Sequence, residues 1–420
     1  MLDLKLIREN PDMVRNAVAK RNDIAPIDDI LRLDVERRKV LTESENLKAK
    51  RNEVSKQIAN MKEKPADLIA ETRNVSDNIK ALDEKESQIE EELNNLLLQI
   101  PNIPHPDTPV GKGEDDNVVM WSWGEPRKLD FQPLAHWDLG PKLDIIDFDR
   151  GVKLSGARFY VLKGLGALLQ RALTSYMLDL HIKEHGYMEI YPPYLVKPHC
   201  LYGTGSLPKF GDNLYHDEED DLWLVPTAEV PITNLHRDEI LQPGVLPLYY
   251  VAHTACFRRE KISAGRDTRG IKRVHQFEKV EMYKFTEAGK SDDELDKLVK
   301  NAETICQQLD LPYRVLALCT SDISFPANRS FDIEMWAPGS NEWLEVSSCS
   351  NCGDFQARRA KIRYRAEAGA KPQYAHTLNG SGLALPRVII AVMENYQQAD
   401  GSIVVPEILR PYMGGLELIK

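Results

Sequence analysis

Apolar residues return at every seventh position through the first quarter of the chain. Leu33, Val40, Leu47, Val54 and Met61 form one series, and Ile30 and Ile58 sit at the offset that fills a second core position. This pattern predicts a long amphipathic helix. Pro65 interrupts it. Leu68, Val75, Leu82, Ile89 and Leu96 then repeat at seven again, joined by Ile79, Leu93 and Ile100. Two long helices joined by a few residues must run antiparallel, and at 1.5 Å per residue each is about 50 Å long. The expected product is a projecting antiparallel two-helix coiled-coil arm over about residues 28–100.

Residues 101–117, PNIPHPDTPVGKGEDDN, concentrate Pro, Gly and Asp, which cannot continue a helix. A domain boundary is expected there, dividing the chain into 1–110 and 111–420. Beyond it, β-rich runs such as VLPLYYVAH and VEMYKF alternate with helical runs such as DDELDKLVKNAETICQQL. That mixture predicts an α+β fold and not a repeated βαβ wind.

Composition narrows the class. The apolar fraction is 42% and the charged fraction 28% of 420 residues, which excludes a disordered or collagen-like chain. The net charge of −11 means that a nucleic-acid partner must be met by a local basic patch. The arm offers one. Between Arg37 and Lys64 it carries nine basic residues against four acids, with Lys48, Lys50, Arg51 and Lys56 near its tip. The second helix answers with nine acids between Asp67 and Glu92, so charge alone favours a solvated coiled-coil face, and a second clue is needed for a nucleic-acid reading. No run approaches the roughly 18 apolar residues of a membrane span, and the start MLDLKLIREN lacks a signal-like apolar region, so no membrane partner is expected. The six cysteines then read as reduced thiols of a cytoplasmic protein.

Neither a Walker A loop nor a Rossmann glycine fingerprint is present. The run CFRREKISAGRDTRGIKRVHQFEKVEMYKF, residues 256–285, predicts strand, basic loop, strand, with Arg258 and Glu260 aimed from the first strand into a cleft. Arg258 supplies a planar fork of donors for phosphate or carboxylate, and Phe277 an aromatic face for a base. Glu345 and Ser348 are oxygen ligands suited to Mg²⁺, which takes one or two protein oxygens and completes its shell with phosphates and water. Cys349 and Cys352 form a single C-x-x-C without a second ligand pair, so no zinc is expected.

The conjunction of these segments carries a resemblance. HGYMEIYPPYLV, residues 185–196, resembles motif 1 of class II aminoacyl-tRNA synthetases. FRRE followed by HQFEKVE, within 256–283, resembles motif 2, and NGSGLALPRVIIAVMENYQ, from 379 through about 396, resembles motif 3. VPTAEV, LEVSSCSNCGDFQARR, GSIVVPEILRPYMGG and the N-terminal arm are together similar to the seryl-tRNA synthetase family of bacterial type.

The resemblance implies a class II catalytic domain built on a mostly antiparallel sheet with flanking helices, preceded by a tRNA-binding domain. It implies ATP-dependent attachment of L-serine to tRNA(Ser) through a seryl-adenylate, with tRNA(Sec) a further acceptor to consider, in a homodimer. Thr227, Ala228, Glu229, Glu281, Ser381 and Asn379 would surround serine. Arg258, Arg259, Glu260, Val274, Phe277, Glu345, Val346, Ser347, Ser348 and Arg387 would meet ATP, with Mg²⁺ on Glu345 and Ser348 and catalysis resting on Arg258, Glu345 and Arg387. Lys48, Lys50, Arg51 and Lys56 would face tRNA. Two departures are visible: Lys261, Ile262 and Ser263 open the motif 2 loop, and Pro386 precedes Arg387 where glycine is common. The competing readings are a serine-activating carrier-protein ligase, disfavoured by the arm, and a non-catalytic tRNA-binding paralogue, disfavoured by the presence of Arg258, Glu345 and Arg387.

Overall fold

The computed structural model describes residues 1–61, 65–261 and 268–420; Lys62 and Lys64 of the arm, and Ile262 and Ser263 of the motif 2 loop, lie outside the described residues. The chain forms two compact units, Leu2–Ala19 with Asp23–Pro101, and Asn102–Lys420 with Met1 and Lys20–Asn22. No helix among the described residues is long and apolar enough to cross a membrane.

The smaller unit contains α1 (Leu4–Glu9), α2 (Pro11–Lys20), α3 (Ile27–Ala59) and α4 (Ala66–Leu97). Asp3 caps α1, its carboxylate accepting the Lys5 N–H at 2.8 Å. The two long helices pair through the heptad positions: Ile30, Leu33 and Val40 of α3 and Val75, Ile79, Ile89 and Leu93 of α4 are buried. Ion pairs run across the seam from Arg37 to Glu90, Lys48 to Asp83 and Lys50 to Glu71. Partners fall on α4 as numbers rise on α3, so the helices are antiparallel. Burial along the seam is uneven. Leu47, Val54, Ile58 and Leu68 are half-buried and Met61 is exposed, while Ser44 takes a core position and donates to Asp83 at 2.9 Å. Ile100 is buried beyond the end of α4.

The larger unit is built on eight strands: β1 (Val118–Trp123), β2 (Met188–Glu189), β3 (Leu248–Phe257), β4 (Gln276–Thr286), β5 (Tyr313–Ala317), β6 (Arg329–Ala337), β7 (Glu342–Gly353) and β8 (His376–Ala384). They lie in the order β1-β5-β6-β7-β8-β4-β3-β2. Every neighbouring pair is antiparallel except β2 with β3. Three helices, α5 (Leu165–Lys183), α6 (Ser291–Gln308) and α7 (Leu385–Tyr396), cover one face. Their Leu173, Met177, Leu298, Ala302, Val388 and Val392 join Val280, Met282, Ile333, Leu344 and Leu378 in one core. Period-two alternation therefore sends the intervening residues of β4, β7 and β8 to the opposite face, and there the cleft opens.

Candidate active site

A cleft of about 350 Å³ lies on the face opposite these three helices, floored by β4, β7 and β8. Glu281 of β4 is directly opposite Ser381 of β8, with Asn379 one alternation further along β8 opposite Tyr283. Thr227 comes from the segment just before the short helix Glu229–Thr233. Its hydroxyl donates to Glu281 Oε2 at 2.7 Å and receives Lys279 Nζ at 2.8 Å. Lys279 also forms an ion pair with Glu281. This end of the cleft is small and polar, with charges compensated inside it.

Glu229 stands beside that group. Its Oε1 accepts from Gln356 Nε2 at 2.5 Å and from Asn379 Nδ2 at 3.1 Å. Gln356 is fully buried and has its other atoms engaged: Oε1 accepts from Tyr283 and Thr377, and Nε2 also donates to the Thr204 carbonyl. Burial, and then the charge of Glu281, push the Glu229 carboxyl up to about 7, against the lowering effect of the Gln356 bond.

The other end is aromatic and cationic. The Arg258 guanidinium lies 5.2 Å from the centroid of Phe277 and donates to the Pro226 carbonyl at 3.2 Å. Arg258 and Glu260 lie just past the end of β3 and not within it, with Glu260 at a φ of 48°. The hairpin is closed by Arg258 N–H to His275 O at 2.9 Å. Arg273 reaches Glu260 Oε2 at 3.4 Å, and Val274 lines the wall. Where the loop returns to the core, Gly270 has a φ of +70° and a Cβ there would come 1.9 Å from His136 Nε2. His136 Nε2 accepts the Ile271 N–H at 3.2 Å, so its proton is on Nδ1, which donates to buried Glu394 at 2.9 Å. Glu394 belongs to α7, so this one ring joins the return of the motif 2 loop to the helix that ends motif 3.

Glu345 and Ser348 meet the cleft through a register defect. In a regular strand residues three apart point to opposite faces. Between β6 and β7, however, Ile333 pairs with Ser347 and Glu334 with Glu345, leaving Val346 as an extra residue. Val346 and Ser347 turn into the core, while Glu345, Ser348 and Ser350 line the cleft. Arg387 enters from the first turn of α7, where Pro386 is tolerated because its missing N–H would have no helical partner. Its Nη1 donates to the Glu345 carbonyl at 2.6 Å and lies 3.2 Å from Glu345 Oε2.

Of the residues expected at the site, Thr227, Glu229, Arg258, Glu260, Val274, Phe277, Glu281, Glu345, Ser348, Asn379, Ser381 and Arg387 converge on this cleft, and Val346, its side chain in the core, borders it. The side chains of three others point elsewhere. Ala228 is buried, Ser347 donates to the Ser381 carbonyl at 2.6 Å, and Arg259 donates to the Leu214 carbonyl over the Tyr215 ring. On the arm, Lys48 and Lys50 are held by Asp83 and Glu71, whereas Arg51 and Lys56 have no ion pair among the described residues. Sequence reasoning passed over Lys272, Lys279, Ser350 and Gln356. Lys279 and Ser350 were within reach, since each stands two residues from an assigned position on a strand, Glu281 and Ser348 respectively.

The oxygens of Glu345 and Ser348 are hard donors, and among the described residues no three His, Cys, Asp or Glu side chains are grouped to hold a metal by themselves. Such a set suits a cation that brings its own phosphate and water ligands.

Family models agree with this geometry. The seryl-tRNA synthetase N-terminal domain matches residues 1–104, and the tRNA synthetase class II core domain (G, H, P, S and T) matches 211–396. The serine–tRNA ligase of Thermomicrobium roseum is 62% identical over 421 residues, covering 100% of this chain and 95% of the relative. That of Roseiflexus castenholzii is 60% identical over 423 residues, with 100% of both chains covered. The crystal structure of seryl-tRNA synthetase from Pyrococcus horikoshii complexed with ATP superposes with a TM-score of 0.94 at 39% identity, covering 100% of this chain and 99% of that one. With both domains matched and the similarity running the length of the chain, this protein belongs to the bacterial-type seryl-tRNA synthetase family of class II aminoacyl-tRNA ligases.

Proposed function

We propose that the two ends of the cleft divide the ligase reaction between them: serine is held at the Thr227 end, ATP at the Phe277 and Arg387 end, and the bond between them forms beside Arg258. Glu281, Thr227 and Ser381 surround a space that suits a small hydroxylated amino acid, with Glu229 and Asn379 at its side and Ala228 contributing main chain. Phe277 stacks on adenine, with Glu260, Val274 and the main chain at Arg259 around it. Arg258 bridges the serine carboxylate and the α-phosphate, and Arg387 meets the terminal phosphate. Glu345 and Ser348, with main chain from Val346 and Ser347, hold Mg²⁺ together with ATP. Bound there, Mg²⁺ offsets phosphate charge during adenylation.

A serine carboxylate oxygen attacks the α-phosphorus and pyrophosphate departs, leaving seryl-adenylate. The terminal ribose hydroxyl of tRNA(Ser) then attacks the activated carbonyl and AMP leaves. Positioning and charge stabilisation are sufficient, and no bond to the protein is needed. The 1–110 region with its arm grips the tRNA backbone through the cations at Lys48, Lys50, Arg51 and Lys56, a mode suited to shape recognition. The working form is a homodimer in the cytoplasm, and tRNA(Sec) is a second acceptor to test.

What supports this reading above all is that Glu281 and Ser381 are directly paired across β4 and β8 in a cleft that also holds an Arg–aromatic pair and an Arg–carboxylate pair. Amino-acid-dependent ATP–pyrophosphate exchange across all twenty amino acids tests it. Serine is expected to stand alone, because a site built around a hydroxyl rejects its absence by roughly 10⁴-fold. Equal exchange with alanine or glycine rules it out.

A further inference from the structure

Phe277, Lys279 and Glu281 alternate along β4 and all face the cleft. Successive members are two residues apart, hence about 7 Å along the strand. An aromatic ring, a cation and an acid are laid out in a row. The groups of an aminoacyl-adenylate follow the same order: base, then phosphate and carbonyl, then ammonium and side chain. The ring and the acid have been assigned, but the cation between them has not.

Lys279 is 7% exposed. Its Nζ is paired with Glu281 and donates to Thr227 Oγ1 at 2.8 Å, while Thr227 donates to Glu281 Oε2 at 2.7 Å. The acid that would receive the substrate ammonium thus already carries a cation. A buried charge needs a partner, so a second ammonium arriving at Glu281 frees the first to meet the negative groups of the substrates. In the proposed order of the adenylate, those groups would lie one step back along the strand toward Phe277. The lysine stem is flexible enough to swing Nζ there.

We propose that Lys279 is a further catalytic residue. When the serine ammonium binds Glu281, Lys279 moves to the oxygens at the junction of the serine carboxylate and the α-phosphate, opposite Arg258. There it offsets the negative charge that gathers as the carboxylate oxygen–phosphorus bond forms and the bond from phosphorus to pyrophosphate breaks. Lys279 stays protonated throughout and transfers no atom. The inference rests on the serine and ATP reading of the cleft.

The test uses the full-length protein and its variants Lys279→Gln, Lys279→Met and Lys279→Arg. Two probes are titrated by calorimetry. Seryl-sulfamoyl-adenosine carries the charged junction, whereas serinol keeps the ammonium and hydroxyls but lacks the junction. Lys279→Gln is expected to lower kcat of serine-dependent pyrophosphate exchange about 100-fold and to weaken the sulfamoyl analogue similarly. Serinol binding should stay within threefold or tighten, since Glu281 is released. Lys279→Arg should recover part of kcat.

A lysine that only braces Glu281 and Thr227 gives another pattern, with serinol and the analogue weakened alike and kcat within threefold. That result overturns the proposal, as does analogue affinity within threefold of the parent. Should Lys279→Met fail to fold, the Gln and Arg variants decide the matter. The parent protein tests the site separately: if it does not bind the seryl analogue, the serine reading falls, and this proposal with it, before any variant is made.

Discussion

Arg387 rests on Glu345, its Nη1 2.6 Å from the carbonyl and 3.2 Å from Oε2 of the same residue. On the proposed reading, the cation that would meet one phosphate and the carboxylate that would hold a metal neutralise each other in the free protein, and ATP with Mg²⁺ would have to part them. Glu345→Ala is expected to lower serine-dependent pyrophosphate exchange about 100-fold. Its side chain is 45% exposed, so the melting temperature should hardly move. Binding of tRNA should be unchanged, and excess chelator should stop exchange in the parent. Exchange within twofold of the parent at saturating Mg²⁺ would refute the metal role.

Glu229 supplies a pH dependence. Burial and the neighbouring Glu281 raise its carboxyl from 4.5 to about 7, so near pH 6 it is mostly protonated, and on the proposed reading it would lose a proton as the serine ammonium settles on Glu281 beside it. The value of kcat/KM for serine should climb up to tenfold per pH unit below 7 and level off above it. Calorimetry in buffers of different ionisation enthalpy should read about one proton released per serine at pH 6. Stability runs the other way. A raised acid contributes stability below its unfolded value and loses it as pH rises through the folded one, so Glu229→Gln should stabilise the free protein more at pH 8 than at pH 5. Gln356→Ala removes a bond that lowers the value and should move the activity limb to higher pH.

Gly270 is fixed by what stands in front of it. A methyl group there would collide with His136 Nε2, and the positive φ disfavours any side chain. Gly270→Ala is expected to cost about 3 kcal/mol and, because His136 also ties Ile271 to Glu394, to depress adenylation with it. Thermal unfolding and exchange read the two losses; a melting temperature equal to the parent's would contradict the collision.

The arm sorts its own cations. Lys48 and Lys50 are occupied by Asp83 and Glu71, whereas Arg51 and Lys56 have no ion pair among the described residues and are the two proposed to meet an external phosphate. Replacing Arg51 and Lys56 with serine should flatten the salt dependence of tRNA binding by about 0.7 to 0.9 for each phosphate no longer neutralised. The Lys48 and Lys50 pair should matter less, and exchange without tRNA should be untouched by either. Filter-binding titrations over a range of salt give the slopes; equal slopes for both pairs would reject the distinction.

Much of this architecture was legible in the sequence because periodicity is a local signal. The heptads of α3 and α4, the helix Ser291–Gln308 and the strands around VLPLYYVAH and VEMYKF all follow from residues near one another in the chain. Polar members of the seam such as Ser44 were hidden, since their partner is 39 residues away on the other helix. The pairing of Glu281 with Ser381 and the grip of Gln356 on Glu229 join residues 100 and 127 apart, and only sheet order brings them together. Motif resemblance supplied those positions where local physics could not. It left out Lys279 and Gln356.

The extra residue at Val346 makes spacing itself informative. Two side chains three apart on a strand can serve one ion only if something between them absorbs a half-turn of the pleat, so E-x-x-S on β7 is a message about backbone as much as about ligands. Inserting one residue into β6 opposite Val346 would remove the bulge and keep both oxygens in the chain while sending them to opposite sides of the sheet. The proposed metal site is in this sense written in residue count, and donor pairs of odd separation on a strand are a signal of the same kind.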